Sequence, residues 1–507
     1  MLLSELFKHA LGHWRAADVS QANEKDFHNG PAKLDAAGSF RESAADSHLC
    51  TMPEMNDTIV ALSTAAGAGA IAVIRLSGKE AIRIAEKNFS PKKLSDQASH
   101  TLHHGFLRNN ETTIDEVVIG LFRGPHSYTG EDVVEISCHG SPFIVQEIIS
   151  LLVSHGARTA RPGEFTMRAF LHGKLDLAQA EAVADLIASQ TQASHHVAIR
   201  QMRGGYSWEL KNLRKELIHF ASLLELELDF SEEDVEFAER RHLLQLLGKI
   251  NAVTDRLLQS FELGNVIKNG VATVIAGRPN AGKSTLLNSL LNEERALVSD
   301  LPGTTRDTIE ETLNINGIQF RLIDTAGIRE ATDVIEKMGV ERTLEKINAS
   351  TLWLYVFDVQ ELSLEELKKD LAMLSRDDSK MILVANKIDR GIWGKNLSPL
   401  EPHAPVVYVS SLQKTNLDEL KKIMVEKIAG GERPSESEIV TNVRHAEALR
   451  KTKSVLQAVA ESLEQRQSGE LTAVHLRDAL RCLGEITGEV TTDDLLENIF
   501  SKFCIGK

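Results

Sequence analysis

Cysteines, aromatic residues and long apolar runs are all scarce in this chain. The four cysteines, Cys50, Cys138, Cys482 and Cys504, form no Cys-x-x-Cys pair and no zinc-ligand spacing. That argues against a disulfide scaffold or a cysteine metal site and favours reduced thiols. No apolar stretch reaches the roughly 18 residues that a membrane span needs, and the first dozen residues lack the apolar core of a signal peptide. A cytoplasmic protein without a membrane partner is the expectation. Basic residues number 57 against 72 acidic ones, for a formal charge of −15. Such a surface has no general attraction for nucleic acid, so an RNA partner would need a local basic patch or a second protein.

What is present is ordinary globular material, 42% hydrophobic and 25% charged over 507 residues. That length exceeds what one hydrophobic core supports and implies two to four domains. Residues 1 to about 54 are mixed in composition and carry no sustained apolar period after Leu11. They read as a disordered extension or an over-long gene start, with Met52 and Met55 standing just before the first convincing strand at 57–62. From about 57 to 172, strand-like runs at 70–76, 116–122 and 133–138 alternate with helical patterns at 79–87 and 143–153, an α+β arrangement. Arg75 and Glu135 are charges in apolar surroundings. Spacing leaves open whether they are surface or edge-strand charges or line a polar pocket at the end of the sheet. Residues 161–177 alternate charge with apolar side chains around two glycines and read as a shaped junction.

Long helical patterns follow from Leu175 to about Phe261 and return over 441–500. The acidic run Asp229, Glu232, Glu233, Asp234 and Glu236 reads as a solvated face or helix end rather than a metal site. Neither helical segment closes its own core, and a unit of doubly wound size separates them. The economical arrangement packs both segments into one helical domain from which the central unit projects, so that its state can act as a lever.

The central unit carries the chemistry. Gly277 to Ser284 is a complete Gly-x-x-x-x-Gly-Lys-Ser between a strand, 271–276, and an apolar helix beginning with Leu286 and Leu287. Its glycines let successive backbone N–H groups face phosphates; Lys283 would reach the β and γ phosphates and the Ser284 hydroxyl would ligate magnesium. In the segment 301–307, a threonine can close on magnesium and the γ-phosphate as an order–disorder switch. The strand 318–323 leads into Asp324-Thr325-Ala326-Gly327, where Asp324 would hold the metal through water and the Gly327 N–H would sense the γ-phosphate. Asn386-Lys387-Ile388-Asp389 reads guanine, because the Asp389 carboxylate accepts from N1 and N2, which adenine does not offer in that arrangement. Ser410 and Ser411 occupy the place of a base-supporting loop. Ile328 stands where many small GTPases have a water-orienting glutamine, so another group or a cation must serve. Asn280 is an oxygen ligand placed for a monovalent ion beside the phosphates.

Together these residues resemble the tRNA uridine-5-carboxymethylaminomethyl modification GTPase family, MnmE or TrmE, over about 57–507. The resemblance is carried by Gly130-Glu131-Asp132, by 161–176, by the nucleotide motifs and by the terminal Cys504-Ile505-Gly506-Lys507. It implies a multidomain α/β plus α fold: an α+β folate-binding and dimerisation domain at 55–173, a helical domain in two parts at 174–265 and 431–507, and an inserted P-loop GTPase domain at 266–430. It implies a tetrahydrofolate derivative, in its 5,10-methylene or 5-formyl form, held by Arg75, Glu135, Lys174 and Lys507. The tail must then fold back onto the N-terminal domain. It places magnesium on Ser284 and Thr305, and potassium on Asn280, Ser299, Leu301 and Thr304. It gives GTP contacts to Ala281, Gly282, Lys283, Thr285, Thr325, Ala326, Asn386, Lys387 and Asp389, and water orientation to Glu336. Cys504 becomes a nucleophile or redox candidate, a packed thiol being the alternative. One departure is Ala65-Ala66, where relatives often carry prolines; another is Leu412 in the base-supporting loop.

The implied reaction is modification at C5 of the wobble uridine of certain tRNAs. The implied partners are a second copy of the chain, tRNA, and an FAD-dependent MnmG or GidA-like protein. GTP turnover would be activated by potassium-dependent dimerisation of the nucleotide domains. The alternative reading is a regulatory GTPase that acts as an assembly switch without modification chemistry.

Overall fold

The computed structural model describes residues 56–229, 240–295, 311–323, 344–374, 380–391, 404–429, 439–465 and 467–507. The first body is built from β1 (Thr58–Leu62), β2 (Ile71–Ser77), α1 (Ala81–Glu86), β3 (Phe89–Ser90), β4 (Thr101–Asn109), β5 (Thr112–Phe122), β6 (Val133–His139), α2 (Pro142–Ser154), β7 (Ala157–Thr159) and α3 (Glu164–Leu171). Its seven strands lie in the order β3-β4-β5-β6-β2-β1-β7, antiparallel except for β1 with β7. The period of two along β2 sends Ala72, Ile74 and Leu76 into a core with Ile119, Ile136, Ile148 and Leu152. Arg75 therefore lies on the other face. Because β1 and β6 flank β2, the edge-strand reading of Arg75 and Glu135 does not hold: both sit on interior strands, directly opposite one another.

Next come α4 (Leu177–Ala188), α5 (Gln192–Met202), α6 (Ser207–Asp229) and α7 (Arg240–Asn269). Helix α4 starts at a capping box in which Asp176 accepts from Gln179 N and the Gln179 side chain accepts from Asp176 N. Helix α5 starts at a second one made by Thr191 and Ser194. The nucleotide body follows, with β8 (Val271–Ala276), α8 (Lys283–Arg295), β9 (Glu311–Ile315), β10 (Ile318–Leu322), β11 (Leu352–Asp358), α9 (Leu364–Leu374), β12 (Met381–Asn386), β13 (Val406–Val409) and α10 (Leu417–Ala429). Its sheet runs β13-β12-β11-β8-β10-β9, parallel except for the β9–β10 hairpin. Strands β11 and β12 are buried at every position, which is why they read as continuous apolar runs without alternation.

The chain then returns to helices α11 (Val443–Glu464), α12 (Gly469–Thr487) and α13 (Asp493–Phe500). Leu210, Leu217, Leu246, Ile250 and Leu257 from before the nucleotide body share one core with Leu449, Leu456, Leu476 and Leu483 from after it. Each half thus supplies the apolar face that the other lacks, about 2 kcal/mol for each fully buried leucine, and the nucleotide body is an insertion in a discontinuous helical domain. Among the described residues no helix is long and apolar enough to cross a membrane.

Candidate functional site

Two polar sites emerge. The first surrounds the phosphate loop, where β8 ends and α8 begins. Gly277 has a φ of +143°, and a Cβ there would fall 2.0 Å from the Val356 carbonyl oxygen. At Gly282, φ +94°, a Cβ would meet the Asn386 side-chain nitrogen at 2.3 Å. Both positions need glycine for conformation and for space. Asn280 itself is left-handed, with φ 61°. The Lys283 ammonium donates to the carbonyls of Gly277 and Arg278, each at 2.8 Å. Two of its three protons are thereby spent on shaping the loop and one is left for a phosphate oxygen. Burial pulls Lys283 below the ordinary lysine value. Arg278 is anchored outward by paired contacts to Asp370 at 2.7 and 3.0 Å and by one to Glu366 at 3.0 Å.

The Asn386-Lys387-Ile388-Asp389 segment is joined to that loop. Buried Asn386 donates to the Ala281 carbonyl at 2.9 Å, and its own oxygen accepts from the Ser411 backbone at 3.0 Å and hydroxyl at 2.8 Å. The Ser410 hydroxyl donates to Asp389 at 2.5 Å, orienting that carboxylate. Lys387, left-handed at φ 66°, pairs with Asp358 at 2.8 Å. Leu412 is 77% exposed, so the departure noted in the sequence lies in solvent while Ser411 makes the contact. Lys283, Ala281, Gly282, Asn386, Lys387 and Asp389 are brought together here, with Ser284 and Thr285 on the first turn of α8. The glycine positions and the lysine contacts fit a loop that cradles phosphates. Ser299, Leu301, Thr304, Thr305, Asp324, Thr325, Ala326, Gly327 and Glu336 lie outside the described residues, as does the acidic run after α6 except for the backbone of Asp229.

The second site lies on the face of the first sheet opposite its core, where α3 packs. The Arg75 guanidinium donates to the Glu135 carboxylate at 2.8 and 2.9 Å, and stands 5.2 Å from the Tyr128 ring centre and 5.7 Å from that of Phe165. Burial raises the Tyr128 phenol above its ordinary value, and its hydroxyl pairs with Thr166 at 2.8 Å. Lys174 donates to the Pro125 carbonyl at 3.0 Å, in the loop that carries Tyr128. The C-terminal tail is seated against the same body. The Phe165 N–H donates to the Lys507 carbonyl at 3.2 Å, Gly163 N–H to Cys504 at 3.4 Å, and the Ser63 hydroxyl to Gly506 at 3.3 Å. Gly506, φ +93°, lies so close that a Cβ would fall 2.1 Å from the Leu62 carbonyl. Arg75 and Glu135 thus touch directly; Lys174 and Lys507 join them through the neighbouring loop and Phe165. Cys504 is an exposed thiol, whereas Cys138 and Cys482 are buried.

The contacts of Tyr128 and Phe165 escaped the sequence reading, because an aromatic residue gives no local sign of the cation it will face. The roles of Gly130-Glu131-Asp132 and of 161–176 also escaped it. Glu131 accepts from the Ser77 hydroxyl at 2.6 Å and pairs with fully buried Arg168 at 3.2 Å, which also binds Asp57 at 2.7 Å and Glu164 at 3.1 Å. Burial would raise the Glu164 carboxyl, but hydrogen bonds from Arg158, Arg161 N–H and Arg168 hold it below its ordinary value. These signatures form a buried clasp that fixes α3, and with it Phe165, onto the sheet.

A phosphate loop between strand and helix, hydrogen-bonded through Asn386 to an Asn-Lys-Ile-Asp segment on a mostly parallel sheet, defines a P-loop GTPase. The family model described as "MnmE helical domain" matches residues 177–504, and that described as "GTP-binding protein TrmE N-terminus" matches residues 58–174. The chain is 54% identical to the tRNA modification GTPase MnmE of Cytophaga hutchinsonii, over 90% of this chain and 99% of that protein. It is 50% identical to those of Christiangramia forsetii, over 90% of this chain and 100% of that protein, and of Flavobacterium johnsoniae, over 89% and 99%. The chain belongs to the tRNA modification GTPase MnmE family.

Proposed function

We propose that this GTPase is the nucleotide-hydrolysing component of a complex that installs a carboxymethylaminomethyl group at C5 of the wobble uridine of certain tRNAs. A folate-carried one-carbon unit is the source of the C5 methylene carbon. The observation that carries this reading is the C-terminal tail seated on the N-terminal body beside Arg75 and Glu135. A merely regulatory GTPase has no need to bring its last residue to a second polar site. The proposed domain limits are 55–173, 174–265, 266–430 and 431–507.

At the second site, the Arg75–Glu135 pair offers a planar cation and a carboxylate acceptor to a pterin, Tyr128 and Phe165 offer aromatic faces, and Lys174 and Lys507 offer charge to the folate carboxylates. At the first site, Lys283 and the loop amides hold the phosphates, Asn386 and Asp389 hold guanine, and Ser284 with Thr305 hold magnesium, which neutralises developing phosphate charge when bound. Asn280, Ser299, Leu301 and Thr304 hold potassium, whose charge serves where an arginine finger otherwise would. Glu336 orients the attacking water. Pairing of two nucleotide domains activates hydrolysis, and the resulting movement gates the modification. A flavoprotein partner, the MnmG or GidA type, supplies redox chemistry and much of the basic surface that an acidic chain lacks.

Nucleoside analysis of tRNA from cells with and without the gene tests this. Loss of the C5-modified wobble uridine is expected, and its persistence without the gene refutes the reading.

A further inference from the structure

Helix α6 buries Leu210, Leu213, Leu217, Ala221 and Leu224 in the helical core. At about 3.6 residues per turn, the opposite face carries Trp208, Lys211, Lys215 and His219 at spacings of three, four and four. Trp208 is 72% exposed, whereas Trp353 of β11 is 1% exposed. One apolar side chain in water means little alone; its neighbours give it meaning. Lys215, and Arg203 at the end of α5, are exposed and have no side-chain partner among the described residues. Lys211 pairs with Asp176 at 2.8 Å yet stays 39% exposed, with ammonium protons to spare for an anion. Glu209 and Glu225, on the two flanks of the stripe, are engaged by Arg256 at 2.9 Å and Arg477 at 3.0 Å, and Glu216 lies on the Glu209 flank. On a chain of formal charge −15, this is a local basic patch built around an aromatic ring.

The stripe begins at the rim of the second site. Asp176, which anchors Lys211, follows Lys174 by two residues, and Lys174 donates to the Pro125 carbonyl at 3.0 Å in the loop that carries Tyr128. The turn before α6 is fixed to the same place, since Gln179 of α4 donates to the Met202 carbonyl at 3.1 Å. On its other flank α6 is held by Arg214, which donates to the Leu480 carbonyl of α12 at 3.1 Å. The indole and its cations are therefore presented on a fixed helix beside Lys174.

We propose that this face of α6 is an RNA-docking surface, on which an unpaired base of the tRNA anticodon loop stacks on Trp208 while Lys211, Lys215 and Arg203 bind the neighbouring phosphates. It rests on the reading above that tRNA is the substrate and that its wobble uridine must reach the second site. Unpaired loop bases offer flat π faces, and aromatic stacking beside cations that follow the backbone is a general way of holding single-stranded RNA. A protein partner would be better served by an apolar surround. The next turn of this face instead holds Lys211 and Asn212, and the exposed apolar side chains of α6, Ile218 and Leu226, stand about three and five turns from Trp208.

The test measures, by fluorescence anisotropy at several salt concentrations, the binding of a labelled anticodon stem-loop RNA carrying the wobble uridine to the full chain. Trp208→Ala should weaken binding roughly fivefold or more, and Trp208→Phe should restore most of it. Lys215→Ala should lower the slope of log affinity against log salt by about 0.7, as loss of one phosphate contact to a single strand implies. Melting temperatures and GTP hydrolysis should match the parent's, because these side chains are exposed. No binding by the parent, or parental affinity in both alanine variants, would overturn the surface. A Trp208→Ala chain that binds RNA normally but no longer co-purifies with the flavoprotein would assign the face to a protein partner instead. Nucleoside analysis separates the two premises. If deleting the gene leaves the C5-modified uridine in place, the functional reading fails. If deletion removes it and the chain with Trp208→Ala and Lys215→Ala restores it fully, with parental RNA affinity, only the docking surface fails.

Discussion

Asn386 donates its side-chain amide to the carbonyl of Ala281, 105 residues earlier, at 2.9 Å. Through that bond the base-reading segment and the phosphate loop behave as one unit. Asn386→Ala strands the Ala281 carbonyl and the Ser411 N–H in a buried site, at about 1–3 kcal/mol for each unmatched group. GTP affinity should fall roughly tenfold or more, measured by titration with a fluorescent GTP analogue; unchanged affinity would show that the bond plays no part in binding.

Asp389 is held by the Ser410 hydroxyl with its remaining acceptor capacity free for a base. Asp389→Asn replaces an acceptor pair with one acceptor and one donor, which mismatches guanine and matches the C2 carbonyl of xanthine. Competition between GTP and XTP should reverse in favour of XTP. A variant that still preferred GTP would place guanine discrimination elsewhere.

Potassium should accelerate hydrolysis relative to sodium at equal ionic strength. Asn280→Gly tests the source, because glycine keeps the left-handed backbone seen at Asn280 and removes the carboxamide that would hold the ion. The potassium advantage should disappear in this variant while GTP still binds. Equal rates of the parent in the two salts would rule out the ion site.

Lys507 holds Phe165 through its main-chain carbonyl, leaving its ammonium available. In Lys507→Ala the tail should stay seated, with the melting temperature unchanged, while 5-formyl-tetrahydrofolate affinity measured by calorimetry falls at least roughly tenfold, as loss of one charge-assisted contact implies. Glu135→Gln should weaken folate binding by removing the carboxylate charge that pairs with Arg75. Wild-type affinity in both variants would move the folate site away from these residues.

Burial keeps the His445 imidazole below its ordinary value despite the neighbouring Glu181, while Arg444 and His445 hold Glu181 ionised, at about 2, against its own burial. The folded state therefore binds fewer protons than the unfolded one, and stability rises with pH. The histidine contribution is complete above about pH 6.5 and is lost as pH falls below that value. The Glu181 contribution is lost only between about 4.5 and about 2. Melting temperatures should decline from pH 7.5 to 5.5, and less steeply in His445→Gln. An equal slope in both proteins would assign the acid sensitivity to other groups.

Much of the nucleotide domain was legible because its motifs are local. Gly277 to Ser284 encodes a strand-to-helix turn over eight consecutive residues, and β8 and β10 were visible as the strands that lead into its motifs. The second site was less legible. Arg75 and Glu135 look alike as isolated charges, and only the antiparallel register of β2 with β6 makes them partners. β9 and β11 were not singled out.

By itself the sequence determined the phosphate loop, the Asn386-Lys387-Ile388-Asp389 segment beside it and the need of two helical segments for each other, since these depend on residue type at short spacing and on apolar periodicity. Tertiary structure alone decided that Lys507 lies against Phe165 and that Glu181 holds Arg444 and His445. Those pairings join residues hundreds of positions apart. Their energy comes from desolvated contacts that form only once the sheet, the clasp around Arg168 and the closed helical core have set the distances.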